Sequence, residues 1–272
     1  SRWVDKFIGR YYHSEMNQIS NLDLLPEEVL KEILLLEEHQ KRLSTRDEAQ
    51  DKFLPYAKHV YEGFIEGTHH RFIAEKLERI ASGELKRLIV NMPPRHSKSE
   101  FASYLMPSWF LGRNPKLKII QATMNTELAV RFGRKVRDLI ADPVYREIFP
   151  NTDLKPDSQA AGRWETSAGG EYFAAGVGAA MTGRGADLLI IDDPHSEQDA
   201  LSSTAYDNAY EWYTSGPRQR LQPGGTIIIV QTRWSKKDIT GRLLQAQQKD
   251  LMADQWEVVE FPAILPSGDP LW

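Results

Sequence analysis

The 272-residue chain has no cysteine. Disulfides and thiolate metal sites are therefore excluded, and the composition fits a reducing compartment. No apolar run approaches the roughly 20 residues that span a bilayer, and no signal-peptide pattern is present; no membrane partner is expected. A strong charge of either sign is also missing: 34 Lys and Arg stand against 38 Asp and Glu, a net −4. A nucleic-acid partner would have to meet a local basic patch. There is no internal repeat and no low-complexity tract. A metal reading of the adjacent His69 and His70 is rejected, because neighbours in a helix point about 100° apart and no His, Asp or Glu follows either one at i+3 or i+4 in a zinc pattern. What remains is a chain with 41% hydrophobic residues, enough for a sizeable core in one large or two small domains.

The most informative stretch runs from Lys86 to Glu100. Leu88, Ile89 and Val90 form a short apolar run bounded downstream by Pro93 and Pro94, which reads as a buried strand. Helix signals begin at Ser97. A Lys-Ser pair between a strand and a helix is the end of a phosphate-binding loop, where backbone N–H groups and a helix N-terminus face the anion. The candidate nucleotide-binding residues are Pro94, Arg95, His96, Ser97, Lys98, Ser99 and Glu100. Lys98 would reach the β- and γ-phosphates of ATP, and the Ser99 hydroxyl would ligate Mg²⁺. The glycines of the usual G-x-x-x-x-G-K-[ST] pattern are absent, with Met92 and Ser97 at their positions. Alone, the segment is also compatible with a solvated turn.

A second stretch bears on that choice. Leu188, Leu189, Ile190 and Ile191 form an unbroken aliphatic run ending in Asp192, Asp193 and Pro194. Such a run fits a strand buried on both faces of a parallel sheet. Ligands bind at the C-terminal ends of such strands. There Asp192 would hold Mg²⁺ through water, and Asp193 would polarise the attacking water. An Asp-Pro strand end followed by a turn is the bland alternative.

The remaining chain is organised around these two stretches. Residues 1–50 are charged and helical. Pro26 opens a helix with acids in its first turn, and Trp3, Phe7, Tyr11 and Tyr12 suggest another. The segment is either an interaction arm or a packed extension. Phe53–Glu66 is amphipathic, and His70–Ala81 reads as a helix closed by Gly83; His69 and His70, just upstream of the loop, would border the adenine. A strand is expected at 116–123 and a helix at 126–140, whose Arg131, Arg134, Lys135 and Arg137 are either phosphate-backbone contacts or a solvated face. Residues after Pro150 read as a polar loop, and 171–177 as a strand. Arg184, between Gly183 and Gly185, is either an exposed residue on a hairpin or a charge-stabilising finger. Residues 224–234 form a further buried strand. Its end brings Gln231, Thr232 and Arg233 to the edge of Lys98 and Asp192, where a polar group senses the γ-phosphate. A helix at 238–253 and a strand at 256–264 follow. Alternating strands and helices imply an α/β fold with a mostly parallel central sheet flanked by helices.

Together these motifs resemble the N-terminal ATPase half of tailed-phage large terminases. The resemblance runs from about residue 53 to 264. It rests on Met92 to Glu100, on Thr182 to Pro194, and on Thr232-Arg233-Trp234 followed by Asp238 and Gly241-Arg242-Leu243-Leu244. It implies a P-loop NTPase of the ASCE (RecA/helicase-like) type at 51–264, with residues 1–50 as an N-terminal helical extension. The family's loop often lacks glycines and contains an arginine, which implies that Arg95 senses or stabilises the γ-phosphate in cis. It implies that Arg184 acts in trans on a neighbouring subunit, and that Thr232, with Gln231 beside it, couples hydrolysis to DNA movement. The implied partners are double-stranded DNA, further copies in a ring, the portal protein and the small terminase subunit. The implied location is the host cytoplasm and, transiently, the procapsid portal vertex; the mature virion is not expected to hold it. Many relatives carry Asp-Glu where this chain has Asp192-Asp193. A chain that opens without Met and ends eleven residues after Phe261 reads as a fragment, with 265–272 as the start of a linker and no room for the family's nuclease. No DNA cleavage is expected. Two rival readings are a helicase-like nucleic-acid ATPase and a non-hydrolysing scaffold with a decayed nucleotide site.

Overall fold

The four aliphatic runs become the middle of one sheet. In the computed structural model, which describes residues 26–269 and Leu271, they are β1 (Arg87–Asn91), β2 (Lys118–Thr123), β6 (Ala186–Asp192) and β7 (Leu221–Gln231). The helix expected around Trp3 to Tyr12 lies outside the described residues. Strands β3 (Leu154–Ala160), β4 (Arg163–Thr166), β5 (Glu171–Gly176) and β8 (Glu257–Glu260) complete an eight-stranded sheet in the order β3-β4-β5-β2-β6-β7-β1-β8. The six strands from β5 to β8 run parallel, and β4 is antiparallel to both its neighbours. The fold is thus α/β with a mostly parallel sheet, as the sequence implies.

Side chains alternate across this sheet with the period of two that a pleated strand imposes. Leu88, Val90, Leu188, Ile190, Ile228 and Val230 enter one core layer. Ile89, Leu189, Ile191, Ile227 and Ile229 enter the other. Both faces are apolar, which is why the strands read as unbroken runs rather than alternating ones. Helices α2 (Phe53–Val60), α3 (Thr68–Ser82), α4 (Met106–Arg113), α5 (Thr126–Ala141) and α6 (Pro143–Ile148) contribute to the first layer. Helices α7 (Ser203–Ser215) and α8 (Ile239–Lys249) contribute to the second through Tyr213, Ile239 and Leu243.

Local chemistry sets the helix ends. Asn125 caps α5 by accepting from Leu128 N–H at 2.9 Å, and Asp142 caps α6 by accepting from Val144 N–H at 2.9 Å. Helix α3 ends at Gly83, whose φ of 78° needs no Cβ penalty.

Three differences from the sequence reading have clear causes. The polar loop after Pro150 is the β3–β4 hairpin; its exposed edge strand tolerates Pro156 and polar residues because one side has no partner. Helix α7 went unread because its Tyr, Ser, Thr and Asn residues are weak helix formers. Its buried Tyr206, Ala209 and Tyr213, at spacings of three and four, were the available signal. The final helix is shorter than 238–253, because Asp238 is its cap and it stops at Lys249.

The chain divides into units of residues 1–45 and 46–272. The helix α1 (Glu27–Asp51) carries the described part of the first, with Glu27–Lys31 and Glu38–Arg42 ion pairs one turn apart. At the other end, a turn is closed by Leu265 N–H donating to the Asp269 carbonyl, and Leu271 is buried.

Candidate functional site

The C-terminal ends of β1, β6 and β7 lie side by side, and the loops leaving them form the candidate site. Strand β1 delivers Met92, whose N–H donates to the Gln231 carbonyl at 3.1 Å. The loop then turns through Pro93 to Ser97 into a helical segment. Arg95 and Ser97 each have φ of 65°, and Asp193 has 42°; these are the non-glycine residues with positive φ among those described. All three are in this site. Ser97 thus adopts the left-handed conformation for which the usual loop employs glycine, at a cost on the order of 1–2 kcal/mol. Positive-φ backbone interleaved with ordinary conformers forms the kind of concavity in which N–H groups face an anion.

The four candidate chemical groups meet here. Lys98, only 7% exposed, places Nζ 2.8 Å from an Asp193 carboxylate oxygen. The other Asp193 oxygen accepts the Thr232 N–H at 2.8 Å. Ser99 Oγ donates to Asp192 Oδ1 at 3.0 Å, and Ser103 Oγ donates to Oδ2 at 2.6 Å. Asp192 is buried beside Asp193. Desolvation, then that neighbouring charge, pushes its carboxyl up to about 6, against the opposing pull of Ser103, Ser99 and Lys98. The remaining contacts brace the site. Thr232 Oγ1 lies 3.4 Å from the Met92 carbonyl, and His195 Nε2 accepts the Ile239 N–H at 3.1 Å, tying the segment after Asp193 to the start of α8. Asp238, fully buried, accepts from Gly241 N–H at 2.9 Å and from Arg233 Nε at 2.9 Å.

Other expected residues are placed as follows. Pro94 and Arg95 are exposed on the loop, and Arg95 pairs with nothing among the described residues. His96 Nδ1 bonds the Pro94 carbonyl oxygen at 2.9 Å. Glu100 pairs with Lys135 at 3.2 Å. Gln231 is buried at the end of β7 in register with Asn91 of β1, and neither side-chain amide has a hydrogen-bond partner. His69 and His70 are buried. His70 Nδ1 accepts the Gly67 N–H at 2.8 Å and caps α3, while its ring packs on Phe64 and Phe101. Desolvation drives it down to about 4 and keeps it neutral. His69 backs the loop, 6.3 Å from the His96 ring. Arg184 is not brought to the cluster. It precedes β6, whose seven residues separate it from Asp193, and its guanidinium lies 3.9 Å over the Phe173 ring. Ser103 had no motif to announce it.

The donor set at Ser99 and Asp192 consists of hard oxygens, the type Mg²⁺ takes in small number alongside substrate phosphates. Among the described residues, no group of three or more His, Asp or Glu is arranged to hold a metal unaided. No described helix is long and apolar enough to cross a membrane.

No family model matches the chain, and no curated protein matches it. Among solved structures, the chain is similar to the large terminase of bacteriophage HK97, at 14% identity and a TM-score of 0.45, over 75% of this chain and 40% of that one. It is also similar to a point mutant of the large terminase ATPase domain of Thermus phage P74-26, at 13% identity and a TM-score of 0.45, over 74% of this chain and 83% of that one.

Proposed function

We propose that this chain is an ATP-hydrolysing motor domain of the large-terminase type, which moves double-stranded DNA into a procapsid. The observation that carries the ATPase reading is the meeting of Lys98, Ser99, Asp192 and Asp193 at one sheet edge. Lys98 and Asp193 lie 2.8 Å apart and Ser99 and Asp192 3.0 Å apart. The packaging role is supported by the motif resemblance, including Arg95 within a loop that lacks glycine.

In this reading the loop backbone from Pro94 to Ser99 cradles the phosphates. Ser99 and Asp192 would hold Mg²⁺, which supplies charge neutralisation at the phosphoryl oxygens. The adenine would lie on the α3 side of the loop, where His69 backs His96. Lys98 exchanges its Asp193 partner for the γ-phosphate. That exchange releases one Asp193 oxygen to orient the attacking water, while the other stays fixed by the Thr232 N–H. Arg95 adds charge in cis. Thr232 and Gln231 feel the change because Asp193 and Met92 both bond to that strand end. Arg184 serves the site of a neighbouring subunit in a ring on the portal protein, with the small terminase subunit as a further partner.

The test is release of inorganic phosphate from ATP by the purified chain. Wild type is expected to turn over. Lys98→Ala and Asp193→Ala should each lose at least about 100-fold, the low end of what a positioned acid–base group contributes. Wild-type rates in either variant would overturn the assignment.

A further inference from the structure

Each oxygen of Asp192 accepts one hydroxyl, and only one of those hydroxyls belongs to the phosphate loop. Ser99 donates to Oδ1. Ser103 donates to Oδ2 at 2.6 Å, from a side chain with no exposed surface. It lies within residues Glu100–Leu105, which form a π-helix, a wide turn recurrent at functional sites. A buried serine in a helix ordinarily bonds back to a carbonyl of the preceding turn. Ser108 does so, to Tyr104 and Leu105. Ser103 spends its hydroxyl on the carboxylate instead.

The two hydroxyls differ in what a cation would do to them. Ser99 stands at the loop's end, where its oxygen would become a ligand. Ser103 lies one turn deeper and stays on Asp192. A metal-binding carboxylate is oriented by the outer-shell groups that hydrogen-bond to it. We propose that Ser103 is a positioning residue, which locks the Asp192 carboxylate so that Oδ1 faces the divalent cation of the bound nucleotide. This rests on the ATPase reading above.

The experiment measures Mn²⁺ binding in the presence of ADP, from the paramagnetic resonance signal of free Mn²⁺, so that no turnover is needed. Ser103→Ala is expected to weaken Mn²⁺ binding about 10–100-fold, as loss of an outer-shell partner does. ADP binding in EDTA, measured by calorimetry, should be unchanged. In an Asp192→Asn background, adding Ser103→Ala should change Mn²⁺ affinity no further. Equal Mn²⁺ affinity in Ser103→Ala and wild type overturns the proposal while leaving the ATPase reading standing. A full additional loss in the Asp192→Asn background overturns it too. If wild type binds no Mn²⁺ with ADP, the ATPase reading falls and this proposal with it. If Ser103→Ala does not fold, Ser103→Cys replaces it; its weaker donor should still lower Mn²⁺ affinity, and wild-type affinity there is again disproof.

Discussion

At the scale of the residue, Asp192 carries a stability penalty when ionised. Burial and the Asp193 charge raise its carboxyl to about 6, above the roughly 3.9 of an unfolded aspartate. A group whose folded value is raised binds its proton more tightly when folded. Its ionisation therefore opposes folding, progressively from about pH 4 and fully above about pH 6. Asp192→Asn should remove that penalty. In metal-free protein at pH 8 its Tm should exceed wild type by several degrees, at roughly 2–4 °C per kcal/mol for a chain of this size. The difference should shrink towards zero at pH 4. A variant equally or less stable at pH 8 would show that the carboxylate is not penalised. The aliphatic run ending in Asp192-Asp193 was legible because each residue type maps directly onto chemistry. Ser103 was not: a lone serine four residues past a loop carries no pattern, and only the fold brings it to Asp192. Ser97 lies between these cases. Its departure from glycine was visible, but not the left-handed backbone that it nevertheless adopts.

At the scale of the element, Asp238 accepts four hydrogen bonds at the junction between β7 and α8. Asp238 caps α8 through Gly241 and also fixes Arg233, Trp234 and Ser235. Asp238→Ala removes the cap and leaves Arg233, only partly exposed, without its carboxylate. The cost should be roughly 2–4 kcal/mol, a Tm fall of about 5–10 °C by circular dichroism. Asp238→Asn keeps the cap acceptor and should lose less. Turnover should fall with it, because this stretch presents the Thr232 N–H to Asp193. Strand β7 and helix α8 were legible from an apolar run and a polar start. The β3–β4 hairpin was not, because an edge strand with one free side has no need of apolar residues. Helix α7 hid behind poor propensity and declared itself only through the buried spacing of Tyr206, Ala209 and Tyr213.

At the scale of the whole molecule, the sheet order makes the site. Ser99 and Asp192 are 93 residues apart in the chain, and β7 stands between their strands, so Thr232 enters the site from the middle. The same order leaves Arg184 at the opposite end of β6, so a role in hydrolysis requires a second copy. Turnover per subunit should therefore rise with protein concentration. Arg184→Ala should abolish that rise, within the 10³–10⁵ that such an arginine contributes, and leave the dilute rate unchanged. A rate independent of concentration, or a rise that survives the substitution, would remove the trans role. The sequence by itself determined which segments are strands buried on both faces, which loop sets a Lys-Ser pair between a strand and a helix and which carboxylates end a strand, because those properties depend on local composition and periodicity. Only the tertiary structure decided that Lys98 rests on Asp193, that Ser103 holds Asp192, that the two histidines are buried and that Arg184 stands apart. Those facts depend on strand order and on side-chain packing between residues distant in the chain, which no local pattern encodes.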